Sequence, residues 1–139
     1  MNIAQIENNL QNLINTYNKT TFIYDLLLSY GLPKASITGL QKGNLNLSKN
    51  QGEIAWKKKL LFKEIDKQDL HETIDLLRND SKSLKHDPRF VIVTDYKTLL
   101  AVDKKTEETL DIEIKDIAKH GSSASSGILT LYSIKECSS

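Results

Sequence analysis

The 139-residue sequence is poor in the residues that commit a chain to special chemistry or architecture. Its one cysteine, Cys137, leaves no intrachain disulfide and no zinc-type spacing. His71, His86 and His120 are far apart and have no cysteine near them, which argues against a metal cluster built on histidine. No apolar run approaches the length of a membrane span: the longest, Phe22 to Leu28, is interrupted by Asp25. The start, Met-Asn-Ile-Ala-Gln-Ile-Glu, has neither the basic opening nor the apolar middle of a secretory signal. Together these absences predict a cytoplasmic protein with no membrane partner. There is also no glycine-rich phosphate loop, no serine nucleophile elbow and no S-adenosylmethionine fingerprint.

What is present is the balance of a globular domain, 39% hydrophobic and 27% charged, in a chain long enough to bury one core. Net charge is only +1, but it is unevenly spread. Between residues 34 and 67, Lys34, Lys42, Lys49, Lys57, Lys58, Lys59, Lys63 and Lys67 face only Glu53, Glu64 and Asp66. Such a segment suits contact with nucleic-acid phosphates, although charge alone fits a solvated lysine-rich face as well. Trp56, beside three lysines, is a candidate to stack on a base, but a strand-edge aromatic covered by lysine stems is the more ordinary expectation.

Ile3, Ile6, Leu10, Leu13, Ile14 and Tyr17 recur at three and four residues, one apolar stripe of a helix. Thr20 or Thr21 can cap a second helix through Tyr30, and Gly31 with Pro33 ends it. Residues 34–52 are polar and punctuated. Only Asn44-Leu45-Asn46-Leu47 alternates like a short strand, and Asn50-Gln51-Gly52 reads as a turn. A strand follows over Leu60 to Ile65. Asp69 can cap a helix whose inner face carries Leu70, Ile74 and Leu77. Arg89 to Thr94 is a β-branched apolar run suited to a central strand, Tyr96 to Val102 and Thr109 to Ile114 give two more, and a short helix begins near Lys115. Helices in pairs and singly around strands predict an α/β or α+β fold, a mixed β-sheet flanked by helices with an N-terminal helical pair.

Nuclease sites of the PD…(D/E)xK kind set carboxylates around Mg²⁺ and a lysine near the attacking water. An acid-x-Lys triplet places both side chains on one face of a strand. Four exist here, starting at Asp80, Asp95, Asp103 and Glu113, a number that a lysine-rich chain reaches by chance. Asp95-Tyr96-Lys97, just after a strand, has the best context. A charged hairpin is the competing account.

Three stretches carry a more specific signal: FIYDLLLSYGLPKASITGLQKGNLNLSKNQGEIAWKKKLLFKE, DLHETIDLLRND and HDPRFVIVTDYKTLLAVDKKTEETLDIEIKDIAKH. In this order, over roughly residues 20–120, they resemble the opening region of type IIG-like restriction–modification proteins. Those chains join a nuclease-like N-terminal domain to an adenine-N6 methyltransferase and a target-recognition region. The resemblance implies a restriction-endonuclease-like fold and contact with double-stranded DNA. It also makes Asp95 structural and moves the catalytic positions upstream. The first acid then falls on Asn44 or Asn46, and an amide cannot replace a carboxylate's charge on Mg²⁺. The second block is Lys63-Glu64-Ile65-Asp66-Lys67, which has acids and lysines but not the triplet.

This departure from the family pattern implies a site either rearranged or lost, and a degenerate endonuclease is the expectation. Glu64 and Asp66 are its candidate metal ligands, Lys63 or Lys67 its cation, and Mg²⁺ its cofactor if it acts. Lys42, Lys57, Lys58 and Lys59 are the candidate phosphate contacts. A non-catalytic module that dimerises or docks onto a separate methyltransferase subunit is the alternative, and an inactive pseudogene product is a third. Gly121 to Gly127 is linker-like, so the expected division is a restriction-endonuclease-like domain over 1–120 and a non-family tail over 121–139. That tail has the look of a frameshift, an early stop or vector sequence, and of a chain cut short before a methyltransferase.

Overall fold

The computed structural model of the chain describes residues 3–48, 52–66, 69–79, 85–117 and 134. The first helix, α1 (Ile3–Asn15), buries Ile6, Leu10 and Leu13 from its apolar stripe and leaves Tyr17, just beyond it, exposed. Apolar on most sides, α2 (Phe22–Ser29) buries Phe22, Ile23, Leu26 and Leu27. Gly31 ends it in the left-handed region (φ 92°), and the Leu32 N–H reaches back to the Leu27 carbonyl. Thr21 sits at the N-cap without making the expected cap bond, because its hydroxyl donates to Asp25 instead.

A third helix, α3 (Lys34–Gln41), occupies part of the segment expected to be irregular. Pro33 starts it, with its carbonyl accepting from Ser36 and Ile37, and only Ile37 and Leu40 are turned inward. Two apolar residues in eight are too few to show a helical period. The N-terminal helical pair is therefore a triplet.

Strands β1 (Glu53–Trp56), β2 (Leu60–Glu64), β3 (Phe90–Thr94), β4 (Thr98–Asp103) and β5 (Thr109–Glu113) form one sheet in sequence order. Only β2 and β3 pair parallel, and α4 (Leu70–Asn79) carries the chain between them. Parallel neighbours need such a crossover, whereas the antiparallel pairs are joined by short turns. Asp69 caps α4 through the Glu72 N–H, at 3.0 Å. After β5 comes a 3₁₀ turn at Ile114–Asp116, where a short helix was expected.

Strand alternation divides the core in two. Ile54, Trp56, Leu60, Phe62, Phe90, Ile92, Leu99 and Leu110 face α1, α2 and α3. Ala55, Leu61, Val91, Val93, Leu100 and Val102 face α4 with Ile74 and Leu77. The result is an α/β fold, a mixed five-stranded sheet with helices on both faces, and β3 is buried along its whole length at its centre. Ile134 is buried in the first of these clusters.

Candidate functional site

Asn44–Leu47 does not form the expected strand. It runs beside the outer edge of β1, and Asn46 fixes it there. The Asn46 Oδ1 accepts from the Ser48 N–H at 3.0 Å and from the Ala55 N–H at 2.9 Å, while Nδ2 donates to the Glu53 carbonyl at 3.1 Å. The Leu47 N–H adds a bond to the Ala55 carbonyl at 2.8 Å. The amide at the expected first-acid position is thus committed to backbone. Asn46→Ala should lower the urea unfolding free energy by about 1–2 kcal/mol, the cost of half-buried backbone groups losing their partners. An unchanged midpoint would mean that water replaces the amide without loss.

Glu64 ends β2. Strand alternation sends its carboxylate to the face of the three N-terminal helices and sends Lys63 to the face of α4, so the two neighbours do not share a site. The Glu64 N–H donates to the Gly52 carbonyl at 3.0 Å, and a Cβ at Gly52 would stand 2.5 Å from the Glu64 Oε1. Gly52 also has φ 77°, so both its backbone and its missing side chain fit this contact. On the other side, the Tyr96 hydroxyl donates to the Glu64 Oε2. Asp66 is exposed beyond the strand, and Lys67 lies outside the described residues.

Tyr96 occupies the three-residue turn between β3 and β4 at φ 70°, costly for a bulky side chain. The turn is held from both sides. Thr94 Oγ1 accepts the Tyr96 N–H and donates to the Thr98 carbonyl, and Asp95 Oδ1 accepts the N–H groups of Thr98 and Lys97. The bond from the Thr98 N–H, with that from Lys97, pulls the Asp95 carboxyl below its ordinary range. Burial, then the Glu64 carboxylate, pushes the Tyr96 phenol above its ordinary value. Its ring meets the edge of Phe22 at 6.2 Å, and the Lys19 Nζ sits 5.0 Å from its centroid. Among the described residues no three His, Cys, Asp or Glu side chains come together as a cation cage.

The lysines lie at the opposite end of the sheet. Lys57, Lys58 and Lys59 form the β1–β2 turn, with Lys58 at φ 64° and its N–H donating to the His86 carbonyl. Lys57 and Lys58 are exposed. Lys59 is buried, its Nζ 5.3 Å from the Trp56 ring centroid, and Trp56 itself is buried in the core, where no base can stack on it. Lys42 is exposed at the end of α3, in a separate part of the chain. Five residues of β2, at about 3.3 Å each, put Glu64 about 13 Å from the start of the strand next to this turn. Across the same end, Arg89 grips Asp103 through Nε and a terminal nitrogen, at 2.9 and 2.8 Å.

A family model described as "MmeI, N-terminal domain" matches residues 1–136. The chain belongs to this family. A curated relative, DNA methyltransferase A of Bacillus subtilis (strain 168), is 36% identical over 120 residues, which is 86% of this chain and 14% of the relative. The chain thus spans about one seventh of that protein's length. No solved structure matches.

The MmeI N-terminal match runs past residue 120, where composition suggested a boundary, and takes in the buried Ile134. Within this family member, the fold sets Glu64 against Tyr96, keeps Lys63 on the other face of the sheet and leaves Lys57 and Lys58 at the far end. Sequence reasoning missed Tyr96. It is the middle residue of the Asp95-Tyr96-Lys97 triplet, and its partner is 32 residues away on a strand that pairs in parallel. No helix of the described residues is long and apolar enough to cross a membrane.

Proposed function

We propose that this domain is the DNA-contacting N-terminal part of a restriction–modification enzyme, joined in function to an adenine methyltransferase, and that its nuclease-like site is degenerate. The observation that carries this is the Glu64 position. Its carboxylate is engaged by the Tyr96 phenol, and the amide of Asn46, where an acid is required, clamps the edge of β1. Family membership and the likeness to a DNA methyltransferase supply the setting.

A catalytic Mg²⁺ fits this donor set poorly. Glu64 and Asp66 are the only carboxylates of the expected block, and a neutral amide stands in for the first acid. The lysine adjoining Glu64 projects from the other face. No hydrolytic step is assigned to these residues, and the proposed role is to hold duplex DNA for chemistry carried out elsewhere in the enzyme.

The purified chain incubated with supercoiled plasmid and Mg²⁺ should leave it uncut, at the level of Glu64→Ala. It should also bind duplex DNA with an affinity that falls about a hundredfold between 50 and 200 mM salt, as about four phosphate contacts require. Mg²⁺-dependent nicking that Glu64→Ala abolishes would sink the degenerate-site half. Absence of DNA binding at low salt would sink the other half and favour the protein-docking alternative.

A further inference from the structure

The lysines that the sequence groups together are not the ones the fold groups together. The β1–β2 turn and the β4–β5 turn lie at the same end of the sheet, because Leu60 pairs with Phe90 and Phe90 with Asp103. Between them opens a cleft of about 400 Å³ lined by Lys58, Asp87, Pro88, Arg89, Lys104 and Lys105. We propose that this cleft, formed where the two lysine turns meet at the end of the sheet remote from Glu64, seats the phosphate backbone of duplex DNA. The inference rests on the DNA-contacting role proposed above and names the surface that performs it.

Charge comes first. Arg89 and Asp103 neutralise each other in a bidentate pair, which leaves Lys58, Lys104 and Lys105 against the single carboxylate of Asp87. Among the described residues none of these three lysines is in an ion pair. Glu107 and Glu108 lead out of the β4–β5 turn towards β5 and do not line the cleft.

The lysines are also carried on fixed backbone. The Lys58 N–H donates to the His86 carbonyl at 2.9 Å, the Lys104 N–H to the Arg89 carbonyl at 2.8 Å, and the Lys105 N–H to the Asp103 Oδ1 at 3.0 Å. The Glu107 N–H closes the turn onto the Asp103 carbonyl at 2.7 Å. Backbone ordered beforehand is not ordered at the expense of binding. Cations from separate chain segments, spread over one exposed end, suit a repeating polyanion, whereas a lone small anion is best held by buried, converging donors.

The opposite end offers no comparable surface. There Lys115 is taken up by Glu113 at 3.2 Å, and the strand ends and turns carry Glu64, Asp66 and Asp95 along with Lys97 and Lys19. A phosphate approaching that end meets at least as many acids as lysines. DNA held at the lysine turns therefore lies about a strand's length from the nuclease-like position.

The test is fluorescence anisotropy of a labelled duplex with the full 139-residue chain across a salt series. The variant Lys58→Gln/Lys104→Gln/Lys105→Gln should bind at least tenfold more weakly at low salt, with a log K against log salt slope shallower by about 3. Lys97→Gln/Lys115→Gln should stay within twofold of the parent chain. Wild-type binding with an unaffected triple variant, or an equal loss from the Lys97/Lys115 pair, overturns the cleft and leaves the DNA-contacting role standing. A parent chain that binds no duplex overturns both. Thermal melts check folding, and if the triple variant melts early, Lys104→Gln alone should still weaken binding measurably; unchanged affinity in that folded variant counts against the cleft.

Discussion

Arg89→Ala should destabilise the fold by about 3 kcal/mol at pH 7, read as a fall in the urea midpoint at constant slope. The size comes from what the substitution leaves behind. The Asp103 side chain is 5% exposed and that of Arg89 19%, so removing the guanidinium strands a carboxylate that water barely reaches. In the intact protein burial works to raise the Asp103 pKa, but the Arg89 hydrogen bonds and the Lys105 N–H outweigh it and hold the carboxyl below its usual range. A depressed carboxyl contributes stability above its unfolded pKa of about 4 and loses it as pH falls through the folded value. Without Arg89 the burial effect is left weakly opposed and the carboxyl pKa rises. The defect of the variant should therefore shrink as pH is lowered from 7 towards 4. Replacing both partners by apolar residues of similar size, Arg89→Met with Asp103→Leu, should recover most of the loss. A defect below about 1 kcal/mol, flat with pH, would place this pair among ordinary surface bridges.

Phe90→Ala should cost about 3–5 kcal/mol, enough to lower the melting temperature by roughly 10–20 °C. Phe90 is fully buried at the start of the central strand, between Leu60 and Asp103 in the sheet register and beneath the N-terminal helices. Its neighbours on both sides in the sheet are themselves strand residues and cannot collapse into the space. Leu76→Ala is the matched contrast. That leucine is 64% exposed on α4, and its loss should stay within about 0.5 kcal/mol. Similar losses from both variants in calorimetry would mean that the sheet is not the organising core.

The elements that follow from a single local pattern were legible in the sequence. The β-branched run of β3, the apolar stripe of α1 and the Asp69 cap of α4 each needed only their own residues. What depends on a partner far along the chain was not. Lys59 reads as the third of three equal lysines, yet it is buried because the turn, closed by the Lys59 N–H on the Trp56 carbonyl, brings it back over the Trp56 ring. Asn46 reads as a failed metal ligand, and its actual partners, Glu53 and Ala55, are settled by where the loop meets β1. Lys104 and Lys105 come near Lys58 only through two strand pairings in succession, one of them parallel. The resemblance pointed to Glu64 and set Asp95 aside as structural, and the Asp95 side chain accepts two backbone N–H groups. It had no means of showing the tyrosine that faces Glu64.

The clamp at Asn46 has a consequence for how this chain behaves in company. An outermost strand offers a row of N–H and C=O groups to any other strand that drifts past, and self-association through such a row is a common route to aggregates. On β1 the Ala55 N–H and carbonyl are already taken by Asn46 and Leu47 from the same chain. A short irregular loop, without the regularity to propagate the sheet, therefore closes that flank against the neighbouring molecules of a crowded solution.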